Sequence, residues 1–420
     1  MSIVRPFRAF RPRKSLVGKV ACPPYDVIER EEARKMAEGN PLSFLHVVKS
    51  EIDFPDEYPP EDEQVYLKAR DNLQKMIDAN VFRRDVKPRL FLYRQQMGRH
   101  RQHGIVGCVP VEEYEHGRIR KHELTLKEKE ADRTRHIETV NAQTGLVFLT
   151  YRADGAIDGL VREIADRVPE YDFETADRIR HTTWVIDDDG EITRIREAFG
   201  RIEALYVADG HHRAAAAASV GKRRREKNPR HRGDEAYNFI MAAIFPHDQM
   251  KIMDYNRVVK DLNGLSDADF LDRIGEMFSL RKAAREKAPP APHTFGMYFR
   301  KKWYLLELRE KPATDEDIVD GLDVSILQKR LLGPILAVGD PRSDRRILFV
   351  GGGKGLGELE RLVDSGAYAV AFALYPTSIE ELMAVGDQGK IMPPKSTWFE
   401  PKLRSGLFIH CLDEDGSLSP

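Results

Sequence analysis

The sequence predicts a mixed α/β (α+β) protein of more than one domain, on three observations. Its 420 residues exceed the length at which single cores stop growing, about 250–300 residues. A hydrophobic fraction of 41% with a charged fraction of 32% belongs to a folded chain with a heavily charged surface. Short apolar runs bounded by Gly and Pro alternate with stretches of helical spacing along most of the length. Three parts are expected: a mixed α/β region at 1–180, a core at 181–280 and an α/β region at 294–420.

From Ile3 to Pro24 the chain reads as loop and short strand, ending in Cys22-Pro23-Pro24-Tyr25-Asp26-Val27, where two prolines impose extended backbone. Residues 29–38 and 63–79 read as amphipathic helices, the second with Val65, Leu73, Met76 and Ile77 near one another on a face. Strands are expected at 89–95 and 104–110. The charge-dense stretch 120–141 carries little apolar periodicity and reads as a solvated helix. Strands at 146–151 and 183–187 precede a helix at 192–202, a strand at 205–208 and an Ala-rich helix from Ala214. A charged excursion at 222–235 reads as an exposed loop or helix end before the apolar strand 239–245. The stretch 281–293, with Pro289-Pro290 and Pro292, is the best linker and marks a boundary. Beyond it, strands at 295–300, 303–308, 346–350 and 406–410 and a helix around 324–332 complete the reading.

Charge narrows the partners. Lys plus Arg number 67 against 68 Asp plus Glu, so no global field draws the chain to nucleic acid or an anionic membrane. The basic run Lys222–Lys227 has Glu226, Asp234 and Glu235 close by and no aromatic residue for base stacking, so nucleic acid is not expected as a partner. The basic N-terminus (Arg5, Arg8, Arg11, Arg13, Lys14) is not followed by an apolar run of signal-peptide length, and no stretch long enough to span a membrane occurs. Cys22, Cys108 and Cys411 are odd in number and far apart, which suits reduced thiols and a cytoplasmic location.

The chemistry is expected at Tyr206-Val207-Ala208-Asp209-Gly210-His211-His212-Arg213, where an apolar strand meets a tight Asp-Gly turn and five alanines start a helix of high propensity. The first helical turn leaves backbone N–H groups without intrahelical acceptors, and with the helix dipole they favour an anion. Arg213 adds a bidentate contact to phosphate or carboxylate. The turn is expected to be exposed. Adjacent helical residues point roughly 100° apart, which argues against a metal chelate at His211 and His212. One imidazole is better read as a second phosphate donor and the other as the general acid or base. A phosphohistidine nucleophile and a plain helix cap by Asp209 are the alternatives.

Three further segments carry candidates. In Met392-Pro393-Pro394-Lys395-Ser396-Thr397-Trp398-Phe399-Glu400-Pro401-Lys402, stiff prolines could present Lys395, Ser396 and Thr397 to phosphate oxygens, or merely tie down the chain end. Asp26 and Glu123 could be the base or magnesium ligand of phosphoryl transfer, with His122 and Thr125 as added donors; an Asx turn and a solvated helix are the plain alternatives. Gly351-Gly352-Gly353-Lys354-Gly355 lacks the Ser or Thr after Lys that a Walker loop needs, and reads as a turn.

Together, Pro23-Pro24-Tyr25-Asp26-Val27, His122-Glu123-x-Thr125, Ala208 through Arg213, Tyr255-Asn256-Arg257-Val258 and Met392 through Lys402 resemble the domain of unknown function 1015 family. The Asp-Gly-His-His-Arg turn also resembles the phosphate-binding turn of the ParB/sulfiredoxin superfamily, which includes free-serine kinases. That second resemblance implies a ParB/sulfiredoxin-like core at 181–280, with Asp209, Gly210, His211, His212 and Arg213 on nucleotide phosphates. The first implies serine or phosphoserine as substrate.

The expectation is a phosphate-ester enzyme acting on phosphoserine or serine, either a phosphatase or a nucleotide-dependent kinase. Asp26, Glu123, Asp209, His211 and His212 are its candidate catalytic residues, with magnesium and ATP or ADP as cofactors and homo-oligomers compatible with it. The alternative is a ParB-like nucleotide-binding regulator without turnover.

Overall fold

Eight strands of the first unit form one sheet in the order Ile119–Arg120, Leu205–Asp209, Val147–Tyr151, Phe239–Pro246, His100–Pro110, Leu90–Met97, Ile179–Ile186, Tyr171–Glu174. The structure is a computed structural model that describes residues 2–283, 287–310, 317–413, 416 and 418. The chain divides into two units, one of Met1–Lys121, Thr125–Met250 and Pro401–Pro420, the other of His122–Leu124 and Lys251–Glu400. Each is described by itself.

The sheet is mixed, with strands from both sides of residue 180. Leu205–Asp209 runs parallel to Ile119–Arg120, and Phe239–Pro246 runs parallel to Val147–Tyr151; the other neighbours are antiparallel. The near-continuous apolar run of Phe239–Pro246 marks a strand covered on both faces. Helices Gly155–Ala165 and Asp189–Phe199, capped by Asp154 and Asp188, bring Ile157, Leu160, Ile164, Ile192, Ile195 and Phe199 into a core with Leu92, Ile105 and Leu149. The expected helices near residues 30 and 63 are present as Arg30–Ala37 and Glu63–Asp78, and they share a second core with Phe44, Leu45, Ile409 and Cys411.

Helix Lys127–Val140 differs from its expected solvated character. It packs between Glu63–Asp78 and His211–Lys227 and buries Thr134, His136, Ile137 and Val140. Charge periodicity hid this face because its inner charges are matched: Arg133 donates to Asp132 at 2.7 Å and lies 4.0 Å over the Tyr25 ring.

Ala214 through Ala218 are all buried, which lets helix His211–Lys227 approach its neighbours closely. At Gly221 the contact is closest, since an added Cβ would lie 2.7 Å from the Tyr237 carbonyl oxygen. In an exposed helix Gly→Ala stabilises by roughly 1 kcal/mol. Here the sign should reverse: Gly221→Ala is expected to cost about 1–3 kcal/mol in urea unfolding, the usual range for overpacking.

Burial also shifts three imidazoles of the first unit. Desolvation holds His136 and His410 down to about 4 and His181 to about 3, in each case against a partner that favours the charged form. An imidazole whose folded value lies below its unfolded 6.5 binds fewer protons in the native state, so stability is complete above pH 6.5 and falls as the pH drops toward 4. Thermal midpoints are expected to decline across that window, and a flat profile would contradict the burial of these rings.

The second unit holds a six-stranded antiparallel sheet in the order Phe278–Lys282, Lys302–Leu308, Thr294–Phe299, Val370–Leu374, Tyr255–Val259, Ile347–Gly351. Helix Leu356–Asp364 packs Leu359 against Val258, Tyr298 and Ala371. The proline-rich stretch 281–293, read as a linker, joins two strands of this same sheet; residues 284–286 within it lie outside the described residues. The glycine run after Ile347 is a packing feature. A Cβ at Gly351 would sit 2.6 Å from the Trp398 ring, and one at Gly352 would overlap the Asp254 carboxylate.

Candidate functional site

The strand Leu205–Asp209 ends at a residue whose side chain turns back on the turn: Asp209 Oδ1 accepts the Gly210 N–H at 2.8 Å. Gly210 has φ 90°, in the left-handed region, and caps helix His211–Lys227. A side chain there would strain the backbone and also meet the Arg213 guanidinium at 2.9 Å. Glycine therefore lets Arg213 fold back over the helix start. The first intrahelical bond runs from Ala214 N–H to the Gly210 carbonyl at 3.0 Å.

Arg213 is the centre of the cluster. It donates to the Leu146 carbonyl, and its other terminal nitrogen stands 3.8 Å from Asp26 Oδ2 and 3.9 Å from Asp209 Oδ2. Burial disfavours its charge, but Asp26 and Asp209 outweigh burial and hold the guanidinium above its ordinary value. Lys402 Nζ donates to Asp209 Oδ2 at 3.1 Å. Burial pushes the Asp209 carboxyl up, yet Lys402 and Arg213 overcome it and keep the group ionised well below the usual carboxylate range. Asp209 thus serves as an anchor for two cations, beyond the plain helix cap.

The turn is not exposed as expected. His211 is buried, and the Arg213 side chain retains only 10% of its exposure. Asp26 and Leu146 meet Arg213, and Lys402 meets Asp209, all from segments distant in sequence. His212 Nε2 accepts the Leu126 N–H at 3.1 Å and so ties the imidazole to the start of helix Lys127–Val140. Thr125 Oγ1 donates to the Glu130 carboxylate at 2.8 Å beside it, a local side-chain bond.

Lys402 is the main residue that sequence reasoning missed. Its only signal was its place at the end of the Met392–Lys402 run. Gln95 fixes it by donating to the Lys402 carbonyl at 2.9 Å, and Arg404 pins the following turn through Asp177, Thr175 and His181. The Tyr93 hydroxyl lies 2.7 Å from His181 Nδ1, which completes a buried polar network beneath the Lys402 segment.

Among the sequence candidates, the first unit brings together Asp26, Asp209, Gly210, His211, His212 and Arg213. His122, Glu123, Lys395, Ser396 and Thr397 belong to the second unit. There Thr397 Oγ1 stands 3.4 Å from His122 Nε2, and the His122 carbonyl accepts the Met392 N–H at 2.8 Å. Ser396 donates its hydroxyl to the Pro393 carbonyl at 2.6 Å, so it stiffens the loop. Lys395 is exposed at φ 59°, and its carbonyl accepts from the buried Arg257 at 2.9 Å.

The family described as "Protein of unknown function (DUF1015)" matches residues 4–325. The chain belongs to this family. The match contains the Pro23–Val27, His122–Thr125, Asp209–Arg213 and Tyr255–Val258 segments. No curated protein matches the chain. Among solved structures, a conserved hypothetical protein from Pyrococcus furiosus is similar at 12% identity and TM-score 0.36, over 71% of this chain and 93% of that one. A free serine kinase in complex with AMP is similar at 11% identity and TM-score 0.36, over 70% and 86%. SbnI with a C-terminal truncation, from Staphylococcus aureus, is similar at 12% identity and TM-score 0.38, over 74% and 91%. No helix among the described residues of this DUF1015 protein is long and apolar enough to cross a membrane.

Proposed function

We propose that the Asp209–Arg213 turn binds phosphate in a phosphate-ester enzyme acting on a small metabolite, with serine or phosphoserine as substrate. The observation that carries this reading is the convergence of Arg213 and Lys402 on the N-terminal end of a 17-residue helix. Two cations and a helix dipole are directed at one place, and a bound phosphate would exchange Asp209 for its own oxygens as their partner.

In the kinase form of this reading, Arg213 and Lys402 hold the transferred phosphoryl group and Asp26 or His211 takes the proton of the attacking serine hydroxyl. In the phosphatase form the same cations hold the phosphate of phosphoserine, and the same base activates water. His212 is a positioning residue in both, because its Nε2 is committed to Leu126.

Magnesium would not be held by Asp26 and Asp209 alone, since Arg213 lies between them and Lys402 already occupies Asp209. It would arrive with nucleotide phosphates, where Asp26 is the other carboxylate beside Arg213. AMP and ADP occupy free serine kinase structures, and for this chain they are ligands to be tested.

Incubation with serine, ATP or ADP and magnesium, and separately with phosphoserine, followed by mass spectrometry of all pools, tests the proposal. Phosphoserine formed at the expense of nucleotide supports the kinase form, and serine released from phosphoserine supports the phosphatase. Saturable nucleotide binding with unchanged pools would instead favour a regulator without turnover.

A further inference from the structure

The basic N-terminal residues have no role in the site above. The fold gathers them. Phe10–Pro12 pairs antiparallel with Phe82–Arg84, which sets Arg11 directly opposite Arg83, and the Arg13 N–H continues the ribbon to the Val81 carbonyl at 2.9 Å. Like charges facing each other across a two-stranded ribbon cost stability. A cleft of about 680 Å³ opens beside it, lined by Arg11, Arg13, Lys14, Arg83, Arg84 and Arg89 against Asp85 and Glu170 alone.

These acids do not neutralise the cleft. Asp85, whose side chain is 4% exposed, binds Arg11 through both carboxylate oxygens at 2.7 to 3.2 Å and Arg89 at 3.1 Å, so it builds the floor. Glu170 reaches Arg11 at 3.6 Å. Among the described residues no ion pair involves Arg13 or Arg83, and the buried Nε atoms of Arg13 and Arg89 have no protein acceptor. Asp187 reaches Arg89 at 3.6 Å from outside the lining, and with it counted a chain of net charge −1 still keeps a formal excess of three positive charges in this concavity.

We propose that this arginine cleft is a second, separate anion site, for a small ligand carrying two or more linked phosphate groups. The linked phosphates follow from the charge excess, which a single phosphate would not fully match. The small size follows from the concave shape and from the lining aromatic, Tyr171, which is buried with its hydroxyl bonded to the Pro12 carbonyl and offers no face to a base. The cleft is independent of the phosphate-ester reading above.

Calorimetric titration of the full chain with inorganic pyrophosphate tests it, alongside Arg13→Gln/Arg83→Gln and Arg213→Ala, each checked for folding by circular dichroism. Arg83 is exposed and Arg13 half-buried, and among the described residues neither makes an ion pair, so the double variant should keep its fold. The expected result is saturable binding by wild type, weakened at least tenfold in the double variant and retained in Arg213→Ala. Absence of saturable binding would overturn the proposal, as would loss in Arg213→Ala with none in the double variant. A single-stranded oligonucleotide that binds more tightly than pyrophosphate and responds to the double variant would also overturn it, in favour of a macromolecular polyanion.

Discussion

Arg213→Ala is expected to lower turnover of the serine or phosphoserine substrate by about 10²–10³, the loss typical of removing one preorganised donor to developing charge. Arg213 touches the Leu146 carbonyl while standing within 4 Å of both Asp26 and Asp209. Its removal also leaves two carboxylates and a carbonyl without their shared partner, a change expected to cost about 3 kcal/mol of stability. Arg213→Lys separates the two effects. It restores charge but cannot bridge the Leu146 carbonyl and a phosphate at once, so stability should recover in part while turnover stays low. Steady-state rates and urea midpoints of the three proteins decide this, and a loss of turnover below threefold in Arg213→Ala would remove it from the site.

Asp209→Asn should act in opposite directions on stability and ligand. The substitution leaves Lys402 and Arg213 facing each other without their anion, at an expected cost of about 3 kcal/mol. Those same cations then meet an incoming phosphate without competition, so phosphate should raise the thermal midpoint further in the variant than in wild type. The pH dependence carries a matching sign. Because the folded value of Asp209 is depressed, its contribution is present above the ordinary carboxylate range and is lost as the pH falls through the depressed value. The Asn variant should lack that acid loss, and equal phosphate-induced shifts in both proteins would contradict a phosphate site built on this carboxylate.

The local parts of this structure were legible in the sequence, and the distant ones were not. An apolar strand, Asp-Gly and an alanine run, all between Leu205 and Ala218, specify the turn at Gly210 through backbone conformation and helix propensity alone. Lys402 reaches Asp209 across 193 positions, and nothing in the periodicity of either segment signals that pairing. The same limit produced the error over exposure, since the groups that meet Arg213 and Asp209 come from Asp26, Leu146 and Lys402. Helix Lys127–Val140 looked solvated because Asp132 and Arg133 neutralise each other on its inner side, where a hydrophobic pattern counts them as surface. The glycines at Gly351 and Gly352 read as a turn because the Walker spacing fails. Their cause, close approach of Trp398 and Asp254, depends on contacts that spacing does not carry.

The most direct test of the phosphate cradle is a crystal of the full chain soaked with phosphoserine, ADP and magnesium. The expected result is a phosphate within hydrogen-bond reach of Arg213, Lys402 and the first amides of helix His211–Lys227, with Asp26 facing the reacting oxygen. Phosphate bound elsewhere while this turn stays occupied by the Asp209–Lys402 and Asp209–Arg213 pairs would contradict the account.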